Sequence, residues 1–327
     1  MTTFKRGLSP ECAAALQGLA KAPGGNWWKD VLANKDLLLA VRGGYLNAYV
    51  KGQSVFKIGS ESHNGIDAHG HPLVSIHYKY LIEPELEEEK PYISFDGQDF
   101  SIETTKVVCT SYKSAVTLER LVRTASRYSG PEKIGVHRIA SNEPKVVDLE
   151  IAFTHSGDAS KKSSAPRMDM AVLIPGKAQE PRLVFCEAKC ADNVELWRLE
   201  KDKDDQLKEP QIAVVSQIAK YEEFIGDNAG KIADAYMDVC KALVDLGQQK
   251  GRTPDPLIVS VANGLKPIVH PKVYLLVYGY DGDQKKTVEK RCDKLNGIRK
   301  HRVIAKGDPK EFRLSKDILR YEALARK

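Results

Sequence analysis

The apolar positions of this chain fall into two blocks with different periods. From Leu37 to Phe95 the runs are short and strand-like: Leu37 to Arg42, Tyr45 to Val50, Ser54 to Ile58, Leu73 to Ile82, and Tyr92 to Phe95. Gly43-Gly44 and Lys51-Gly52-Gln53 separate the first three, and such breaks predict hairpins. Ahead of them, Ser9-Pro10 predicts a helix from Pro10 to Leu19, with serine as N-cap and proline in the first turn. Pro23-Gly24-Gly25 breaks it before a second turn holding Trp27 and Trp28. The second block opens with Leu118, Leu121, Val122 and Ala125, an i, i+3, i+4, i+7 stripe that predicts a helix over 111–128. Three apolar runs follow, Val146 to Phe153, one from Pro166 to Ile174, and one from Arg182 to Lys189. A helix around Gln217 comes next, then a break at Asp227-Asn228, a helix over 229–247, and a strand from Lys272 to Tyr280. The tail from Lys285 reads as helical or irregular. The pattern predicts a smaller β-rich N-terminal domain over 1–108, an α/β core over 109–284, and a basic extension over 285–327.

Composition narrows the class. Of 327 residues, 42% are hydrophobic and 29% charged, values of a soluble globular protein long enough for two domains. No apolar run approaches the roughly 20 residues of a membrane span. Met1 to Gly7 is not followed by an apolar signal region, so a cytoplasmic, membrane-free protein is expected. The cysteines at 12, 109, 186, 190, 240 and 292 form no Cys-x-x-Cys pair and read as reduced thiols. Histidines 63, 69, 71 and 77 lie in or near one loop. His69-Gly-His71 lacks a fourth ligand, and they read as polar loop residues. The net charge of +6 permits nucleic-acid binding without demanding it.

The charges inside the strand-like runs carry the chemistry. Asp169 stands near the start of one run, and Glu187 and Lys189 at the end of the next. Strand side chains alternate, so Glu187 and Lys189 share a face while Cys186 and Ala188 take the other. Two carboxylates and an ammonium on adjacent strands are costly to desolvate without a purpose. A divalent metal on Asp169 and Glu187, with Lys189 beside it, would supply one. Further on, Gln217 and Tyr221 have i, i+4 spacing and so lie on one helix face.

Asp169, the Glu187-Ala188-Lys189 tripeptide and the Gln-x-x-x-Tyr helix of Gln217 and Tyr221 resemble the PD-(D/E)xK nuclease superfamily, in its RecB-like branch. Met168, not proline, precedes Asp169, which departs from the family pattern. The resemblance covers roughly residues 111 to 280. It implies a restriction-endonuclease-like αβββαβ core with a mixed central sheet. It implies Mg²⁺, with Mn²⁺ as a substitute, held by Asp169, Glu187 and the Ala188 carbonyl, and Lys189, Gln217 and Tyr221 as catalytic residues. A third carboxylate often comes from the first core helix. Glu119 matches by position, and Glu150 on the preceding strand competes. The implied activity is hydrolysis of DNA phosphodiesters by a prokaryotic endonuclease of restriction or anti-phage defence type, with a homodimer and defence-system proteins as partners. Arg120, Arg123 and Arg127, and a cluster of Lys285, Lys286, Lys290, Arg291, Lys294, Arg299, Lys300, His301 and Arg302, suit phosphate contacts. Asp281, Asp283, Glu289 and Asp293 dilute that cluster. The competing readings are a non-catalytic nucleic-acid-binding or regulatory protein on the same fold, and an RNA-directed nuclease.

Overall fold

Local capping starts the first helices. The Ser9 side chain accepts from the Cys12 backbone N–H and begins α1 (Pro10–Lys21), and Asn26 does the same for α2 (Trp27–Ala33) through Lys29. The computed structural model describes residues 4–60, 63–81, 92–102, 109–152, 167–176, 180–199, 212–251, 253–295, 298 and 302–324. They form two compact units. One takes Lys5–Gly130 and Asp238–Pro254, and the other takes Met1–Phe4, Pro131–Met237 and Asp255–Lys327.

The first unit holds an antiparallel sheet in sequential order: β1 (Leu38–Val41), β2 (Tyr45–Val50), β3 (Gln53–Gly59), β4 (Val74–His77) and β5 (Tyr92–Phe95). The β2–β3 turn puts Lys51 at φ 48° and Gly52 at φ 77°. Two consecutive left-handed residues match the right-handed twist of a hairpin. Trp27, Phe56, Phe95 and Phe100 fill the core, with the Phe95 and Phe100 rings 4.6 Å apart. Helix α3 (Ala115–Arg127) buries the expected stripe of Leu118, Leu121, Val122 and Ala125 and packs on β2 and β3.

The second unit holds a mixed sheet. Its elements are α4 (Pro131–Ser141), β6 (Val146–Ala152), β7 (Arg167–Pro175), β8 (Pro181–Cys190), α5 (Ala213–Gln249, as far as Met237 in this unit), α6 (Pro256–Ala262), β9 (Ile268–Val269), β10 (Tyr274–Tyr278), α7 (Lys285–Cys292), β11 (Val303–Ala305) and α8 (Leu314–Leu324). The strand order is β11-β10-β8-β7-β6, with β9 also beside β8. Strand β7 is antiparallel to both of its neighbours, β6 and β8, and β10 and β11 run parallel to β8. Strand β8 is therefore central, with Leu183 and Val184 fully buried. Phe185 meets Tyr236 of α5 on one face, and Arg182 pairs with Glu322 of α8 on the other. Helices on both faces explain the near-continuous apolar run. The chain is thus mixed α/β with one antiparallel and one mixed sheet. No helix among the described residues is long and apolar enough to cross a membrane.

Four expectations need correction. The helix over 111–128 belongs to the antiparallel-sheet unit, and the first helix of the mixed-sheet unit is α4. The unit boundary falls at residue 130, not 108, and the chain returns to the first unit over Asp238–Pro254. Helix α4 is hard to read because Gly135 weakens its helical pattern. The glycine is required by packing, since a Cβ there would lie 2.1 Å from the Tyr278 ring. Helix α5 runs unbroken through Asp227-Asn228. Asn228 donates its side-chain N–H to the Phe224 carbonyl at 2.9 Å, and burial of Ile225, Ile232 and Tyr236 outweighs its weak helix propensity. The basic tail holds β11, which extends the sheet, so 285–327 is part of the unit and not an appendage.

Candidate active site

The site begins with strand register. Met170 lies opposite Cys186, so Asp169 is level with Glu187 on the neighbouring strand. On the other side, Leu149 pairs with Met170 and Ile151 with Met168, which sets Glu150 level with Asp169. Three carboxylates thus stand in a row across β6, β7 and β8. All are buried. Glu150 adopts φ 51°, a left-handed backbone rare for a non-glycine residue, beyond an irregularity in pairing between Val146 and Asp148. Strain of this kind concentrates at functional sites and costs on the order of 1–3 kcal/mol.

Two lysines neutralise the row in part. Lys189 Nζ lies 2.9 Å from Glu187 Oε1, 2.9 Å from Glu195 Oε2 and 3.8 Å from Glu132 Oε1. Lys133, beside Glu132 in the first turn of α4, lies 2.7 Å from Glu150 Oε1 and 3.2 Å from Asp169 Oδ1. The second oxygen of Asp169 accepts the Ala188 backbone N–H at 2.9 Å. Asn193 orders the flank: its side chain caps the turn over Val194–Leu196 by accepting from Glu195 N–H, and its amide donates to Glu132. From α5, Gln217 Nε2 donates to Glu187 Oε1 at 3.1 Å and to the Tyr221 hydroxyl at 3.0 Å. The i, i+4 pair lies on one helix face, as its spacing predicts, and Gln217 meets Glu187.

Burial sets the protonation of these groups. Burial, then the Asp169 charge, holds the Glu187 carboxyl well above the ordinary carboxylate range, against the opposing pull of Lys189 and Lys133. Burial likewise raises Glu132. For Lys189 and Lys133, burial alone would lower the ammonium. The adjoining carboxylates outweigh it and hold both above the usual lysine value.

One atom is left over. Glu187 Oε2 is buried and accepts no hydrogen bond. A buried carboxylate oxygen in that state is costly unless a proton or cation meets it. Among the described residues no three His, Cys, Asp or Glu side chains form a ready-made metal cage. A pair of carboxylates suits Mg²⁺, which takes one or two and keeps several waters. Among the described residues no histidine or cysteine side chain, the donors that softer metals prefer, contributes to the cluster.

Other expected residues fall elsewhere. Glu119 is exposed on α3, in the antiparallel-sheet unit, and takes no part in this cluster. The carboxylate that the first helix of the mixed-sheet unit supplies is Glu132, and Glu150 is the one in the row. Sequence reading missed Glu132, Lys133, Asn193 and Glu195. Pro131 before Glu132-Lys133 was the available signal, a proline at a helix start with charge in the first turn. Arg302 is not a phosphate contact: it is buried, ion-pairs with Glu222 and donates to the Val273 carbonyl. Lys285, Lys286, Lys290, Arg291 and Lys294 are exposed, as are Arg120, Arg123 and Arg127. Arg299, Lys300 and His301 lie outside the described residues, as does Pro166. His69 and His71 are exposed, and their backbone N–H groups are tied to Asp67 in a tight loop.

Comparison of the chain with protein families, curated proteins and solved structures yields no match.

Proposed function

We propose that the chain is a Mg²⁺-dependent nuclease of the PD-(D/E)xK type that hydrolyses DNA phosphodiester bonds. The observation that carries this reading is the row itself: Asp169 and Glu187 level on adjacent strands, Lys189 two residues on, and a Glu187 oxygen with no partner. With α6 and the two-residue β9 set aside as insertions, the element order α4-β6-β7-β8-α5-β10 supports it, because αβββαβ is the order the resemblance implies.

Asp169 and Glu187, with the Ala188 carbonyl, would hold the ion. Bound there, Mg²⁺ supplies a Lewis acid and a water of lowered pKa. The remaining work belongs to the chain. Hydrolysis adds water to phosphorus, breaks one P–O bond, and places negative charge on the phosphoryl oxygens along the way. Lys189 brings a fixed positive charge to that region, and low dielectric strengthens its effect. Glu187, Glu195 and Glu132 hold the Lys189 ammonium in place, which suits an electrostatic role. Gln217 fixes the Glu187 carboxylate through Oε1, which leaves Oε2 as the open oxygen. Tyr221 is buried and accepts from Gln217, so it orients that amide. The exposed arginines of α3 and lysines of α7 suit sequence-independent phosphate contacts.

The test is incubation of the chain with supercoiled plasmid, linear duplex, single-stranded DNA and RNA, each with Mg²⁺, Mn²⁺ or EDTA. Cleavage of DNA that EDTA abolishes is the expected result. Cleavage of RNA alone would move the reading to an RNA-directed nuclease. No cleavage of any substrate, together with no bound ion, would leave the non-catalytic reading.

A further inference from the structure

Two buried carboxylate oxygens from adjacent strands converge on a single point, and an ammonium of the same chain occupies it. Lys133 Nζ lies 2.7 Å from Glu150 Oε1 and 3.2 Å from Asp169 Oδ1. Its side chain is 32% exposed, whereas those two carboxylates are 6% and 4% exposed. Glu150 reaches this point through its left-handed backbone, a conformation that needs support from its surroundings. The other half of the row differs. There Glu187 Oε2 is buried with no hydrogen-bond partner. One half of the row is therefore filled by the chain's own cation, and the other presents an open oxygen.

We infer that Lys133 is the resident cation between Glu150 and Asp169, and that it restricts the site to one divalent ion, on the Asp169–Glu187 side. This inference rests on the metal-dependent reading above. Charge accounts for the limit. Five carboxylates (Glu132, Glu150, Asp169, Glu187 and Glu195) face two ammoniums, Lys133 and Lys189. One divalent ion leaves the cluster at −1. A second would reverse its sign to +1, and would have to share its oxygens with the ammonium they already hold. With Lys133 neutral, the cluster gains a charge deficit that a second ion balances. The oxygens that now hold the ammonium at 2.7 and 3.2 Å would need only a short inward movement to reach the ~2.1 Å of Mg²⁺–oxygen bonds. Two-ion sites clamp the attacking and leaving oxygens with metals on both sides. Here one side of the clamp is a lysine, which binds without ion concentration and cannot be removed by chelation.

The experiment counts ions. Mn²⁺ is titrated into the full-length chain without nucleic acid, with free Mn²⁺ read by electron paramagnetic resonance and heat by calorimetry. Wild type is expected to bind one Mn²⁺ per chain, Lys133→Met two, and the double variant Lys133→Met with Glu150→Gln one again. Lys133→Gln keeps a hydrogen-bond donor and serves as a second neutral variant if the methionine chain does not fold. Lys133→Arg keeps the charge and is expected to bind one. Two ions in wild type would overturn the inference without any variant. One ion in wild type and one in both neutral variants would also overturn it, while leaving the metal-dependent reading intact. No ion in wild type would overturn both together.

Discussion

The two sheets bury polar groups in different ways. In the antiparallel-sheet unit the buried polar residues among those described are Arg42, Asn47 and Thr117, with no carboxylate. Asn47 is satisfied by Tyr49 and Ser54, and aromatic packing fills the core there. The mixed-sheet unit buries Glu143, Asp148, Glu150, Asp169, Glu187, Lys189, Arg302 and Ser315. Burial of charge does not by itself mark a site, as Asp148 demonstrates. It accepts from the Leu149 N–H and from the Tyr236 hydroxyl at 3.0 Å, and Glu143 accepts from the Ser315 N–H. Those groups are structural because their partners close around them. Around Glu187, carboxylates outnumber ammoniums and one oxygen remains unmet. Excess charge with an open acceptor, not burial, separates a candidate site from a satisfied core.

That contrast is broken most sharply at the carboxylate row. Asp169→Ala or Glu187→Ala is expected to lower metal-dependent cleavage by ~10³-fold or more, on the scale of removing a main stabilising group, while DNA binding persists. A nicking assay and a binding assay on the same preparation check this, and undiminished cleavage by the Glu187→Ala chain would move the active site elsewhere. Lys189→Ala is expected to lose roughly 10²-fold in turnover. It should still bind Mn²⁺, since an ammonium is not a ligand, and paired kinetics and calorimetry separate the two effects.

Glycine substitutions sharpen the comparison through packing. In α4, Gly135→Ala drives a methyl into the Tyr278 ring and is expected to destabilise the chain by ~1–3 kcal/mol. In α1, a Cβ at Gly18 meets nothing within 4 Å. Gly18→Ala is therefore expected to stabilise by roughly 0.5–1 kcal/mol. Denaturant titrations of both variants give the two signs.

The pH response isolates Glu187. Its folded-state carboxyl is held above the ordinary range, so the folded chain keeps a proton that the unfolded chain releases. Metal-free stability from this group is full below the unfolded value of about 4.3 and declines as pH rises through the folded value. Glu187→Gln cannot ionise. It is expected to flatten that decline and raise the metal-free melting midpoint at neutral pH by ~2–4 °C, read by calorimetry across pH. The smallest effect belongs to Glu119→Gln on exposed α3, expected to leave cleavage unchanged and stability within about 0.5 kcal/mol. A large loss there would return that carboxylate to the chemistry.

What the sequence by itself determined is what depends on neighbours along the chain. Ser9-Pro10 set a helix start, Lys51-Gly52 a hairpin, and the alternation of β8 put Glu187 and Lys189 on one face. The spacing of Gln217 and Tyr221 put both on one side of α5. Each follows from backbone period or local capping. The tertiary structure decided the lateral partners. Register between β6, β7 and β8 aligned Glu150, Asp169 and Glu187, and no local rule sets which residue of one strand stands opposite which of another. Packing against Tyr278 made a helix of Pro131–Ser141 despite Gly135, and so brought Glu132 and Lys133 to the row. Burial of Ile225 and Tyr236 carried α5 through Asn228. Long-range pairing also recruited Val303–Ala305 from a tail whose charge conceals a strand. The chemistry was visible as residue types at the right spacing. The balance of charge around it was not, because Lys133 is distant in sequence from Glu150 and Asp169 and meets them only once the chain has folded.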